Sequence, residues 1–435
     1  MTTNNIGEQL YKLCEKMFPI CRSITGNGVR QTLEILKEVV PEITVHEVPS
    51  GTQVFDWTVP KEWNIKDAWI KDEKGNKILD FNKCNLSVLG YSLPLDKYLS
   101  KDELLQLIYT QPSQKDVIPY VTSYYKERSG FCMRQVQKDQ IQNSKDQKYH
   151  AFIDSTLENG SLTYGELILE GQSKKEILIS TYICHPSMAN NELSGPSVSV
   201  HLAKYLQSLP NRHYTYRFVY IPETIGSITY LSQKNHLQVM KQNTIAGFNL
   251  SCIGDDRTYT YVETRYGNTL SDKVAQNVLK FIDPNYQHRS YHYRGSDERQ
   301  YNAPGIDLPV ACLCRSKFGE YPEYHTNKDD LTLISPKGLE GGFEMVLQCI
   351  QALETNFKYQ VTCLGEPQLG KRGLYPTLSQ KGSYDGILAM RDLIAYADGT
   401  NDLIDISNLI NVPIKTLIPI VKKLTDSQLL KLVEE

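Results

Sequence analysis

No apolar run in this sequence approaches the length needed to span a bilayer, so a helical membrane protein is not expected. There is no surplus of basic charge: 47 Lys and Arg stand against 50 Asp and Glu, a net −3. That balance gives no footing for a polyanion or an anionic membrane surface. The first residues, MTTNNIGEQLYKLCEKM, lack a basic segment followed by an apolar one. A secretory leader is therefore not expected, and the cytoplasm is the expected compartment. The ten cysteines have no regular spacing. They read as reduced, mostly buried thiols rather than a disulfide framework. Cys312 and Cys314 sit two apart in an apolar run, where a strand points both sulfurs to one face, so they read as core. No internal repeat or low-complexity tract is present. What remains is a chain of 435 residues, long enough for two or three domains.

The chain opens on two amphipathic helices, Glu8–Phe18 and Val29–Val40, around a Gly-Asn-Gly turn. Arg22 and Arg30 flank that turn and read as capping groups before substrate contacts. From 50 to 150 the composition changes to short strand signals with Gly, Pro and Asp turns, including Ile118–Tyr125. This stretch reads as an inserted β-rich domain. A hairpin, Ala151–Thr156 with Ser161–Leu169, is expected next. Strands then alternate with helices: Ile177–Ile183, Tyr216–Ile221, Ile245–Leu250 and Val310–Cys314, with helices between, including one over Gly226–Leu237. The expected fold is α/β, a mainly parallel sheet sandwiched by helices. The domain bounds are 1–49 with 151–364 for this domain, 50–150 for the insertion and 365–435 for the tail. The tail, after the Gly/Pro linker 365–376, reads as a winged helix: Tyr384–Ala397, then Ile404–Asn411 and Ile414–Leu424 as a helix-turn-helix, then a wing at Leu429–Val433. Its acids offset its few lysines, so docking or dimerisation into a homo-oligomer is expected before DNA binding.

Each sheet strand ends in a polar cluster. His185 and Glu192 follow Ile177–Ile183, Glu223 follows Tyr216–Ile221, and His325 follows Val310–Cys314. In open α/β sheets such strand ends collect ligands and catalytic groups. Two imidazoles and a carboxylate suit a catalytic zinc with one position left for water, so His185, Glu192 and His325 are the expected metal ligands. Glu223 is the expected general base. Asp297 and Arg299, in a charge-rich loop, and Glu323, beside His325, are expected substrate contacts. Bland readings stand beside these. Glu192 can simply charge a helix N-terminus, Glu223 can cap a helix, and the Arg294–Arg299 loop can be structural salt bridging. Cys184 and His185 as a thiol–imidazole pair is discounted, because neighbours at a strand end point to opposite faces. Ser194–Gly195 lacks the pattern of a nucleophile elbow.

The segments HPSMANNELSGP, PETIG and EYHTNKDD resemble, in order and spacing, the metal-site segments of the co-catalytic zinc aminopeptidases. The whole chain resembles a bacterial aminopeptidase-like family, on SGTQVFDWTVPKEWN, IPYVTSYYKE and CHPSMANNELSGP. Members of that family carry an inserted domain of unknown function and a C-terminal winged helix, and some are associated with polysaccharide biosynthesis. The resemblance implies a zinc-exopeptidase-like fold and hydrolysis of a peptide or amide bond. It also implies Glu223 as base and Asp297 in a Ser-Asp loop of the site. The chain departs from the two-zinc pattern at three ligand positions, which hold Asn191, Thr224 and Ser251. A single zinc on His185, Glu192 and His325 is the implied set. A scaffold that keeps the fold without catalysis is the alternative.

Overall fold

The computed structural model describes residues 5–375 and 385–433; the first residue of the expected helix Tyr384–Ala397 lies outside them. The chain divides into two units. The larger comprises 1–266 and 288–343, and the smaller comprises 267–287 and 344–435.

The larger unit is built on an eight-stranded sheet. Its strand order is Thr44–Pro49, Ser161–Leu169, Thr215–Ile221, Glu176–Tyr182, Thr244–Leu250, Val310–Cys314, Thr260–Val262, Gln287–Arg289. The four middle strands are parallel and the pairings flanking them are antiparallel. Glu176–Tyr182 and Thr215–Ile221 are buried at every residue, as strands covered on both faces must be. The β-branched, apolar composition of these runs forms the strands, and burial on both faces leaves no polar alternation to read. Helix Ser194–Ser208 packs against them closely: a Cβ on Gly195 would lie 2.3 Å from Thr181 Oγ1 and 2.7 Å from the Leu250 carbonyl.

Three expectations fail here. Ala151–Thr156 and Ser161–Leu169 do not form a hairpin. Lys148–Glu158 pairs with Glu62–Lys71 and Leu95–Ser100 in a separate four-stranded sheet, and the Asn-Gly turn joins two sheets. The helix expected over Gly226–Leu237 is two, Ile225–Ser232 and His236–Asn243. Gln233 turns extended after the first, and Asn235 takes a left-handed conformation before the second. Ile118–Tyr125 is not a strand; only isolated bridges, Pro119 to Thr326 and Thr122 to Gly90, hold it.

All ten cysteines are free, and Cys312 and Cys314 point to one face with sulfurs 3.6 Å apart. In the smaller unit, Lys358–Val361 is the central strand between Asp398–Asp402 and Leu430–Leu432. Helices Asp385–Tyr396, Leu403–Ile410 and Ile414–Asp426 complete a winged helix, with Asn411 left-handed in the helix-turn-helix corner. Helix Leu270–Ile282 belongs to this unit too, through Lys273 to Asp402 (2.6 Å) and Asn277 to Ser407 (2.9 Å). Among the described residues no single helix is long and apolar enough to cross a membrane.

Candidate metal centre

His185 follows the end of strand Glu176–Tyr182. The chain then passes through Ser187 (φ 49°) and Met188 (φ 30°), both in the left-handed region, into a π-helical turn at Ala189–Leu193. This turn carries Glu192 back onto its own loop. The Glu192 amide bonds the Met188 carbonyl at 3.1 Å, and its Oε2 lies 3.0 Å from His185 Nδ1. On the other edge of the same ring, His185 Nε2 lies 3.8 Å from Glu223 Oε2. The two glutamates therefore flank one imidazole from opposite sides.

Arg22 caps the end of helix Ile6–Met17 through the Met17 carbonyl, and it does more. It is buried and runs under the loop, where its Nε lies 3.2 Å from Glu192 Oε1. The guanidinium also donates to the carbonyls of His185 (2.9 Å), Met17 (2.9 Å) and Ser187 (3.3 Å) and to Thr32 Oγ1 (3.3 Å). Burial pushes the Glu192 carboxyl up to about 8, and Arg22 opposes that shift. Arg30 instead makes a surface cluster with Glu47 and Glu62.

Glu223 stands past strand Thr215–Ile221, its side chain 22% exposed. Burial raises its carboxyl, and the neighbouring Asp297 raises it further. Thr224, next to it, has φ 65° and ψ −76°, a strained conformation for a β-branched residue. Its amide donates to Asp297 Oδ1 (2.8 Å), and Arg299 donates to its hydroxyl (2.6 Å). Asp297 is fully buried, accepts also from Ser227 (2.7 Å), and keeps Oδ2 without a partner. Glu323 is held by Arg257 through both oxygens at 2.9 Å.

The His325 ring centre is 5.4 Å from that of His185. Its Nε2 is buried and among the described residues has no partner, and Tyr324 stacks on the ring at 3.9 Å. Burial holds both histidines down at about 3, so both rings are neutral and each keeps a lone pair for a metal.

Two features were not foreseen. Cys184 Sγ lies 3.4 Å from His185 Nδ1, because the strand stops at Tyr182 and the alternation of faces stops with it. Burial and the charges of Glu192 and Glu223 push the thiol well up, so it stays protonated and unsuited to nucleophilic attack. Cys184, His185 and Glu192 place three ligand-type atoms within 4.8 Å of one another. The second feature is Tyr120. Its ring meets His185 and His325 edge-on at 5.2 and 5.1 Å. A backbone latch holds it there: Tyr120 N to the His325 carbonyl (2.8 Å), Asn327 N to the Ile118 carbonyl (2.9 Å), and Ile118 N to Asn327 Oδ1 (2.7 Å). The segment expected as a strand thus roofs the two histidines.

Where a second ion would need carboxylates, the chain has a neutral network. Tyr182 OH bonds Ser251 Oγ (2.6 Å) and accepts from Asn191 Nδ2 (2.7 Å). Tyr321 OH donates to Asp329 (2.9 Å), which also takes the amides of Asn190 (2.6 Å) and Asn191 (3.0 Å). The two imidazoles offer nitrogen ligands to one ion, and this network offers no second ion a carboxylate of its own at Asn191 or Ser251.

A family profile described as a domain of unknown function, DUF4910, matches residues 11–356, and one described as a winged helix-turn-helix matches 357–432. A Clostridium acetobutylicum protein, named as a candidate polysaccharide biosynthesis protein with an aminopeptidase-like domain, is 44% identical over 408 residues, 93% of this chain and 92% of that one. The crystal structure of a candidate peptidase from Clostridium acetobutylicum is similar at TM-score 0.90 and 43% identity, covering 98% of this chain and 96% of that one. A zinc aminopeptidase from Bacillus subtilis shares the fold at TM-score 0.59 and 12% identity, over 81% of this chain and 94% of that one.

Proposed function

The chain belongs to the DUF4910 family, and on that premise we propose that it is a single-zinc hydrolase of a peptide or amide bond. His185 and His325 would hold the ion. Glu192 accepts from His185 Nδ1–H and so fixes the tautomer that leaves Nε2 free, the usual role of a carboxylate behind a metal-bound histidine. This moves Glu192 from the ligand role its place in the sequence suggested to an orienting one. When bound, zinc supplies a polarised carbonyl and an acidified water.

Glu223 is the base. Its carboxylate lies on the Nε2 side of His185, and its raised proton affinity suits a group that takes a proton from water and returns it to a leaving amine. Asp297 and Arg299 position it through Thr224, the residue after it. Tyr120 keeps bulk water off the histidines. The observation that carries the reading is the buried, unpartnered Nε2 of His325 beside His185.

The test is metal analysis of protein purified without chelator, with hydrolysis measured on aminoacyl anilides and on N-acyl amino sugars. We expect one zinc per chain, lost in His185→Ala and His325→Ala. Glu223→Gln keeps the zinc and loses turnover. Protein without zinc, or an active Glu223→Gln variant, overturns the reading.

A second reading, a non-catalytic metal-binding scaffold linked to polysaccharide biosynthesis, is favoured by the relative's name and by the neutral residues at three ligand positions. Zinc bound in full with no hydrolysis of either substrate class would select it. Ten free thiols fit a reducing compartment, and we place the protein in the cytoplasm. The winged helix serves docking or self-association in this reading rather than DNA binding, since its acids offset its lysines.

A further inference from the structure

A cavity of about 860 Å³ opens beside the metal centre, within the size range of small-molecule sites. The N-terminal turn forms one side and the inserted sheet the other. Its back is closed by the residues that follow each histidine, Ser187 and Met188 after His185, Thr326 and Asn327 after His325. None of the groups assigned to hydrolysis lines it.

The lining carries the side-chain amides of Asn27, Gln31, Asn64, Asn82, Asn85 and Asn327. Asn64 and Asn85 are committed on both amide atoms, whereas among the described residues Asn27 and Asn327 keep Nδ2 free, Asn82 keeps Oδ1 and Gln31 keeps its whole amide. An amide offers donors and an acceptor in one plane, which matches hydroxyls that both give and accept hydrogen bonds. The charges are unevenly committed. Asp329 has both oxygens taken by the amides of Asn190 and Asn191 and by the Tyr321 hydroxyl. Asp330 accepts from the amide and hydroxyl of Thr332. Lys66 and Lys83 are exposed, and among the described residues their ammonium groups have no partner. The Gln31 side chain is likewise exposed and without a partner there. The cavity therefore presents amides along its walls and free positive charge at its rim.

We infer that this crevice binds a short oligosaccharide bearing a carboxylate, its hydroxyls on the amides and its acid group on Lys66 and Lys83. The assignment goes beyond the hydrolase reading and does not rest on it, because the crevice binds whether or not His185 and His325 hold zinc.

The test is calorimetric titration of the full-length chain with trigalacturonic acid, chitotriose and triglycine as probes. Trigalacturonic acid should bind most tightly. The Lys66→Ala/Lys83→Ala double variant should weaken it by about tenfold or more and flatten its salt dependence. Gln31→Ala should weaken it several-fold. All three residues are exposed, so the fold should persist, which circular dichroism checks. EDTA-treated protein should bind as untreated protein does, and binding lost on EDTA treatment also overturns the assignment. No heat with trigalacturonic acid at millimolar concentration overturns the assignment. So does parent-like affinity in the double lysine variant, equal affinity for neutral chitotriose, or tighter binding of triglycine.

Discussion

Replacing Arg22 by Met removes the only cation that, among the described residues, faces Glu192 within its buried loop. The loss has two parts. The pair itself is buried on both sides, with Arg22 Nε 3.2 Å from Glu192 Oε1, and breaking such a pair one-sidedly costs about 3–5 kcal/mol. Within that figure, the carbonyls of Met17, His185 and Ser187 lose their donor, each a loss of roughly 1 kcal/mol where water cannot enter. The double variant Arg22→Met/Glu192→Gln removes the stranded charge but not the stranded carbonyls. It should therefore recover about 1–3 kcal/mol of the loss. The assay is urea unfolding of EDTA-treated protein at pH 9, where the Glu192 carboxyl is ionised, followed by tryptophan fluorescence. Trp57, Trp63 and Trp69 all lie in the larger unit, so the signal reports that unit alone. The pH dependence carries a sign. Burial raises the folded Glu192 carboxyl to about 8 against 4.5 unfolded, so the folded state holds the proton more tightly. Stability from this group is full below 4.5 and falls as pH rises toward 8, by up to about 1.4 kcal/mol per pH unit. Removing Arg22, which opposes the shift, should carry that fall on to higher pH at the same slope. A single variant within 1 kcal/mol of the parent, or a double variant no more stable than the single, refutes the reasoning.

Thr224→Ala should lose about 1–2 kcal/mol, since it keeps the strained backbone and drops the Arg299 hydrogen bond; Thr224→Gly should lose less, because it relieves the strain. Both are read by the same urea titration. Arg30 holds the Glu62 carboxyl down at about 2, so the pair's stability is present above 4.5 and lost as pH falls toward 2. Arg30→Ala should remove on the order of 1–2 kcal/mol at pH 7, after discounting for solvent screening, and little at pH 2.5, measured by thermal unfolding. Asn191→Asp should destabilise the zinc-free protein by about 2–4 kcal/mol, because it buries a carboxylate beside Asp329, and a second equivalent of zinc should fail to bind.

The central strands were legible because double-sided burial leaves unbroken β-branched and apolar runs, and those runs end where the polar clusters begin. His185, Glu192 and Glu223 were legible for the same reason, as the first chemistry-bearing residues past strand ends. Arg22 was visible as a residue but not as a partner, since its contact to the His185 carbonyl spans 163 positions. Tyr120 was hidden by its own periodicity. IPYVTSYY alternates like a strand, yet its backbone pairs with residues 325–327 instead of a sheet neighbour. The side of His185 on which Glu192 falls depends on the π-helical turn at Ala189–Leu193, and no residue pattern marks such a turn. Cys184 and His185 come together because they lie two and three residues past the end of the strand at Tyr182, where side chains no longer alternate between faces.

The three departures from the two-zinc pattern are best understood together. Asn191 and Ser251 are joined through Tyr182 OH, and Asn191 also reaches Cys252 Sγ at 3.5 Å, as Tyr321 does at 3.6 Å. Every member of that set is neutral, and Asp329 at its edge has three donors of its own. Such a network can stay dry in the core without a cation, whereas a single carboxylate left in it would be a buried charge with nothing to match it. Thr224 removes a third carboxylate position and gives its hydroxyl to Arg299 instead. Across the His185 ring the balance is the opposite: Glu192 is matched by Arg22, and Glu223 keeps a partly open carboxylate. Carboxylate charge is thus present around the His185 ring and absent from the Asn191–Ser251–Tyr182 network. That distribution supports the proposal of one ion per chain, because a second cation in the neutral network would meet no carboxylate to balance it.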